Sequence, residues 1–163
     1  MTDAKINALA RTLGERLTHH KLMCATAESC TGGLVAGAIT DIAGSSGWFE
    51  RGFVTYSNEA KMELLGVPEA TLAQHGAVSE ATARAMAEGA VARSRADVAV
   101  AITGVAGPGG GTPDRPVGMV CFAWSRGVVT TAITRYFQGD REAVRRAAVV
   151  AALEGLLMAL AYP

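Results

Sequence analysis

Eight consecutive residues, Thr26-Ala27-Glu28-Ser29-Cys30-Thr31-Gly32-Gly33, bring together a carboxylate, a candidate nucleophilic hydroxyl, a thiol and two glycines. The apolar run Leu22-Met23-Cys24-Ala25 leads in, and the helix-like run Leu34-Val35-Ala36-Gly37-Ala38-Ile39 leads out. Such a join is the carboxyl end of a strand, where α/β proteins usually bind their ligands. The helix that follows offers free N–H groups to an anion or a developing oxyanion. Paired glycines admit a substrate close to the backbone. Taken alone, the stretch suits equally a polar turn with Ser or Thr as N-cap.

Two further positions fall at strand ends, Tyr56 to Lys61 and Thr103-Gly104. A wound sheet can bring all three to one edge, setting a hydroxyl, a phenol, an amine and a glycine-rich loop in one cleft. The other lysines are Lys5 and Lys21. A lysine activates a serine only as the neutral amine, so its ordinary pKa of about 10.4 must fall. Desolvation beside the apolar helix 34–43 would lower it, with repulsion from Arg141 if that residue lies close. Read locally, Lys61 is also an ordinary surface lysine on a short helix. Cys30 is the rival nucleophile. Adjacent side chains diverge, and free cysteines are so often buried that we read Cys30 as core.

Several patterns are excluded. Ala27 and Thr31 flank Ser29, so Gly-x-Ser-x-Gly fails. Gly110 follows Gly109 where a Walker A loop needs Lys, and Thr112 breaks Gly-x-Gly-x-x-Gly. Tyr56 and Lys61 are five apart, one too many for Tyr-x-x-x-Lys. His19 and His20 face different sides of a helix end with no third ligand at metal spacing, so no metal is expected.

The 163 residues contain 15 basic and 15 acidic side chains, and half are hydrophobic. One domain over residues 1–163 with a full core is expected. The zero net charge argues against broad nucleic-acid binding. Three cysteines, Cys24, Cys30 and Cys121, read as free thiols in a reducing compartment. No signal peptide opens the chain, and Gly or charge interrupts every apolar run before membrane-spanning length. A soluble, cytoplasmic protein with no membrane contact is the expectation.

Ile6, Leu9, Ala10, Leu13 and Leu17 mark an amphipathic helix over 4–20. A strand over 21–28 and a buried helix over 32–43, apolar almost all round, follow. Trp48 to Gly52 reads as a connector and Phe53-Val54-Thr55-Tyr56 as the second strand. Ser57-Asn58 caps a helix over 59–65, a short turn runs over 69–75, and Ser79 caps a helix over 80–95. Val98 to Ile102 is a central strand buried on both faces. Strands over 117–125 and 128–137 meet at Arg126-Gly127 as a hairpin, and Asp140 caps a final helix over 141–160. The order α-β-α-β-α-α-β-β-β-α predicts a three-layer α/β/α sandwich with a mixed, largely parallel sheet.

The motifs Ala27-Glu28-Ser29-Cys30-Thr31-Gly32-Gly33, Thr55-Tyr56-Ser57-Asn58-Glu59-Ala60-Lys61, His75-Gly76-Ala77-Val78-Ser79 and Ile102-Thr103-Gly104-Val105-Ala106-Gly107-Pro108 stand in this order. With Gly111-Thr112-Pro113, Pro116-Val117-Gly118 and Gly139-Asp140-Arg141, they resemble the CinA C-terminal domain family over about residues 5 to 160. Gly110 and Gly111 stand where many relatives carry an acidic residue. The resemblance implies a stand-alone nicotinamide-nucleotide amidase, converting nicotinamide mononucleotide and water to nicotinate mononucleotide and ammonia. It implies Ser29 as nucleophile, Lys61 as its base and Tyr56 holding or polarising the pair, with the choice of immediate base between Lys61 and Tyr56 open. N–H groups near Thr31, Gly32 and Gly33 would hold the oxyanion. Ser57, Asn58, Thr103, Gly104 and Gly107 would contact substrate. Arg141, with Arg145 one turn on, is the candidate phosphate partner. No cofactor is implied, and a homodimer or higher homo-oligomer is. The rival readings are a non-catalytic nucleotide-binding or regulatory module, and an amidase for another nucleotide or amide.

Overall fold

The computed structural model describes residues 2–161. In chain order the elements are α1 (Thr2–His20), β1 (Cys24–Glu28), α2 (Leu34–Thr40), β2 (Phe49–Val54), α3 (Asn58–Leu65), α4 (Glu69–His75), α5 (Glu80–Ala92), β3 (Val98–Gly104), β4 (Met119–Ser125), β5 (Thr130–Tyr136) and α6 (Arg141–Leu160). The strands form one sheet in the order β2-β1-β3-β4-β5. β1 pairs in parallel with β2 and β3, while β3–β4 and β4–β5 are antiparallel, so only β4 runs against the others. The expected mixed, largely parallel sheet is therefore found, with helices on both faces.

The alternation of side chains along each strand sorts two unlike cores. One face presents Cys24, Val98, Val100, Ile102, Val120, Phe122 and Trp124 to α1, α2 and α6. The other presents Ala25, Ala27, Ala99, Ala101, Cys121 and Ala123 to α5. Alanines on both sides let α5 approach closely. At Gly89 of α5 even a Cβ would lie 2.0 Å from the carbonyl oxygen of Leu65.

Two expectations are corrected. The stretch Trp48 to Gly52 is not a connector: β2 begins at Phe49 and ends at Val54. Its mixed polarity suits an edge strand whose Arg51, Gly52 and Val54 are exposed. Helix α2 is shorter than residues 32–43 and only half buried. Val35, Ala38 and Ile39 face the core, whereas Leu34 and Gly37 are exposed.

Candidate active site

Ser29 follows the last residue of β1, and its N–H still pairs with Ile102 O at 2.9 Å. The strand alternation thus continues into the turn. Glu28 and Cys30 point to the α2 side and Ser29 to the opposite face, toward α3. That face delivers Lys61. Its Nζ lies 3.0 Å from Ser29 Oγ and donates to Thr55 O at 2.8 Å and Tyr56 O at 3.1 Å. Lys61 is 1% exposed and Ser29 8%. Burial pushes the Lys61 amine below the ordinary lysine range. Arg141, enlisted as a source of repulsion, instead donates to Gly107 O at 2.8 Å.

Cys30 is buried within the α2–α6 core. Burial pushes its thiol up to about 12, against a smaller opposing pull from its own backbone N–H. At neutral pH it carries no thiolate to act as nucleophile.

Tyr56 meets the pair by its main-chain carbonyl and not by its phenol. The ring is 64% exposed, and its hydroxyl lies 3.5 Å from a guanidinium nitrogen of Arg141. The turn after Ser29 is equally specific. Gly32 N–H donates to Ser29 O at 3.1 Å, and Gly33 N–H to Glu28 Oε1 at 3.2 Å. Of the three amides expected at an oxyanion, those of Gly32 and Gly33 are therefore engaged inside the fold. The Thr31 N–H has no acceptor among the described residues, and Thr31 is wholly buried. Gly32 and Gly33 have φ of 58° and 107°, left-handed values that explain glycine at both places.

The remaining sequence candidates divide. Ser57 is the N-cap of α3, its Oγ accepting from Ala60 N at 3.0 Å, and Asn58 is exposed beside it. Thr103 is buried and donates its hydroxyl to Ala77 O at 2.9 Å. At Gly104 a Cβ would meet Met119 O at 2.8 Å, so packing against β4 accounts for the glycine. Gly107 contributes its carbonyl to Arg141. Arg145 donates to Cys30 O at 3.1 Å and Thr31 O at 3.2 Å. Leu34, Arg141, Glu142, Arg145 and Arg146 line a hollow of about 440 Å³ next to this turn.

Two participants lay outside the sequence reading. Glu28 is wholly buried and accepts four hydrogen bonds from the turn and the first residues of α2. Its place at the strand end was visible, but its partners lie up to eight residues on. Arg115 donates to Val78 O at 2.8 Å and to His75 O, tying the glycine-rich loop to the α4–α5 connection. No spacing rule would pair positions so far apart.

A wound α/β sheet with a buried serine–lysine pair at the end of a central strand defines the class. The family model of the CinA C-terminal domain matches residues 6–160, and the chain belongs to that family, as its motifs led us to expect. The chain is 56% identical over 160 residues to "Nicotinamide-nucleotide amidohydrolase PncC" of Escherichia coli, covering 96% of this chain and 95% of that one. It is 55% identical over 152 residues to the protein of that name from Pseudomonas putida, covering 93% and 95%. Among solved structures, the competence/damage inducible protein CihA from Agrobacterium tumefaciens superposes with a TM-score of 0.92 at 51% identity, covering 96% of each chain.

Proposed function

We propose that residues 1–163 form a single amidase domain that converts nicotinamide mononucleotide and water to nicotinate mononucleotide and ammonia through acylation of Ser29. The similarity to relatives named nicotinamide-nucleotide amidohydrolase supports the substrate. The observation that carries the mechanism is the hydrogen-bond arrangement of Lys61. A neutral amine has two N–H bonds and one lone pair. As the ammonium, Lys61 donates to Thr55 O, Tyr56 O and Ser29 Oγ, while the Ser29 hydroxyl reaches Tyr56 O at 3.5 Å. Once one proton is lost, the two carbonyls keep the two N–H bonds and the lone pair can face the Ser29 hydroxyl.

The reaction follows from that arrangement. Ser29 Oγ attacks the carboxamide carbon while its proton passes to Lys61. The resulting ammonium has three donors and three acceptors in place. A main-chain amide of the turn after Ser29, where Gly32 is exposed and Thr31 buried, is assigned to the oxyanion; losing one such donor typically costs on the order of 10²–10³ in rate. Collapse breaks the C–N bond, and Lys61 returns the proton to departing ammonia. Water then attacks the ester, Lys61 takes its proton, and nicotinate mononucleotide leaves as Ser29 recovers its hydrogen. The phenol of Tyr56 has no part in the proton transfer. With Arg141 it stands at the substrate entrance, where we assign Arg141, assisted by Arg145 and the hollow they line, to the phosphate. The Gly107 carbonyl lies against Arg141.

No helix among the described residues is long and apolar enough to cross a membrane. Cys24, Cys30 and Cys121 are free and buried, which fits a reducing cytoplasm. We place the enzyme there, as a homodimer or higher homo-oligomer, on the family resemblance. Ammonia release across a panel of pyridine nucleotides, their nucleosides and simple amides tests the reading. Nicotinamide mononucleotide should give the highest kcat/KM; binding without release would leave only a nucleotide-binding module.

A further inference from the structure

Among the described residues no side-chain cation pairs with Glu28, yet it is 0% exposed. Its Oε1 accepts from Thr31 Oγ1 at 2.6 Å, Val35 N at 2.9 Å and Gly33 N at 3.2 Å, and its Oε2 accepts from Ala36 N at 3.0 Å. Three of these donors are the orphan amides at the start of α2, which the side chain satisfies in place of a conventional N-cap. The main chain of Glu28 is fixed as well. Its carbonyl accepts from Thr55 N at 2.8 Å, and Thr55 O in turn accepts from Lys61 Nζ at 2.8 Å. One residue therefore holds both halves of the reacting pair. Its carboxylate fixes the turn beyond Ser29, and its carbonyl fixes the segment that Lys61 leans on. Ser29 sits between these two anchors.

We infer that Glu28 is a positioning residue for the acylation step, setting the Ser29–Lys61 approach, an inference that rests on the amidase reading. A carboxylate is needed because all four partners donate. Glutamine keeps the shape, but its NH₂ would confront one of them.

The test compares wild type, Glu28→Gln and Thr31→Val, each first checked for folding by circular dichroism and thermal unfolding. Turnover of nicotinamide mononucleotide is then measured at a temperature where all are folded. In parallel, a fluorophosphonate labels Ser29, forming an Oγ–P bond with loss of fluoride and the hydroxyl proton, and mass spectrometry follows the rate. Glu28→Gln should lower kcat by about 10- to 100-fold with KM within about twofold, the size expected for misplacing a nucleophile by a fraction of an ångström. Labelling should slow by a similar factor. Thr31→Val, which removes one bond of four, should lose several-fold on both measures, and it decides the matter if Glu28→Gln does not fold. Folded variants with wild-type kcat and labelling rate, or a loss confined to KM, overturn the inference. Should wild type release no ammonia, the amidase reading fails. Labelling then still decides: slower labelling of Glu28→Gln supports positioning, and equal labelling refutes it.

Discussion

Lys61 Nζ lies 3.0 Å from Ser29 Oγ, although the residues stand 32 positions apart and arrive on different elements. A lysine with an unshifted pKa would be neutral in only about four molecules in ten thousand at pH 7. Burial lowers the pKa, and the one opposing influence, charge on Cys30, is silent while that thiol stays protonated. The rate should therefore rise with pH to a plateau, through an ionisation below that of free lysine. Lys61→Arg should not restore activity, because a guanidinium keeps its proton. The sign for stability is the same. Between the folded and unfolded pKa values the unfolded chain binds the extra proton, so stability rises with pH there. Lys61→Met should abolish both limbs. Activity in Lys61→Arg would show that the residue supplies charge only.

Cys30→Ala should keep kcat within about threefold, and thiol-directed maleimide should leave the folded enzyme active. Both follow from a thiol that is buried and pushed up to about 12. Rapid inactivation by the reagent at Cys30, with protection by substrate, would move the nucleophile one residue along.

Arg141→Ala tests the phosphate assignment. A hydrogen bond to a charged group contributes roughly 1.5–3 kcal/mol, so KM for the nucleotide should rise by about 10- to 150-fold. Nicotinamide riboside, which lacks the phosphate, should be hydrolysed no worse by the variant than by wild type. An equal loss on both substrates would show that Arg141 acts through its bond to Gly107 O, by shaping the loop.

Exhaustive dialysis against EDTA should leave the rate unchanged, since the proposed base is an amine. The described residues contain no group of three or more His, Cys, Asp or Glu able to hold a metal ion. Loss of activity restored by a divalent ion would replace Lys61 with metal-bound hydroxide.

Most of the element order was legible because hydrophobic periodicity and caps are local, but Glu69–His75, read as a short turn, is the helix α4, a third helix between β2 and β3. Ser57, Ser79 and Asp140 each accept from the amide three residues on, as caps do. The divergence of Ser29 and Cys30 was legible too, since it follows from strand alternation alone. What was missed is non-local or main-chain. Edge strand β2 carries Glu50, Arg51 and Gly52, so its composition reads as a loop. Tyr56 drew attention to its phenol, whereas its carbonyl faces Lys61. Thr103 looked free to meet ligand, but Ala77 O takes its hydroxyl from 26 residues away. Glu28 looked like one more polar residue in a turn. Its four partners become visible only once α2 is folded back over the strand end.

The most direct measurement is ammonia and nicotinate mononucleotide formed from nicotinamide mononucleotide by wild type and Ser29→Ala, side by side at the plateau pH. Wild type should form both products one to one. Folded Ser29→Ala should lose on the order of 10³-fold or more in kcat, as expected when a nucleophile is removed from a unit that acts together. A Ser29→Ala enzyme that releases ammonia at the wild-type rate would contradict acylation of Ser29.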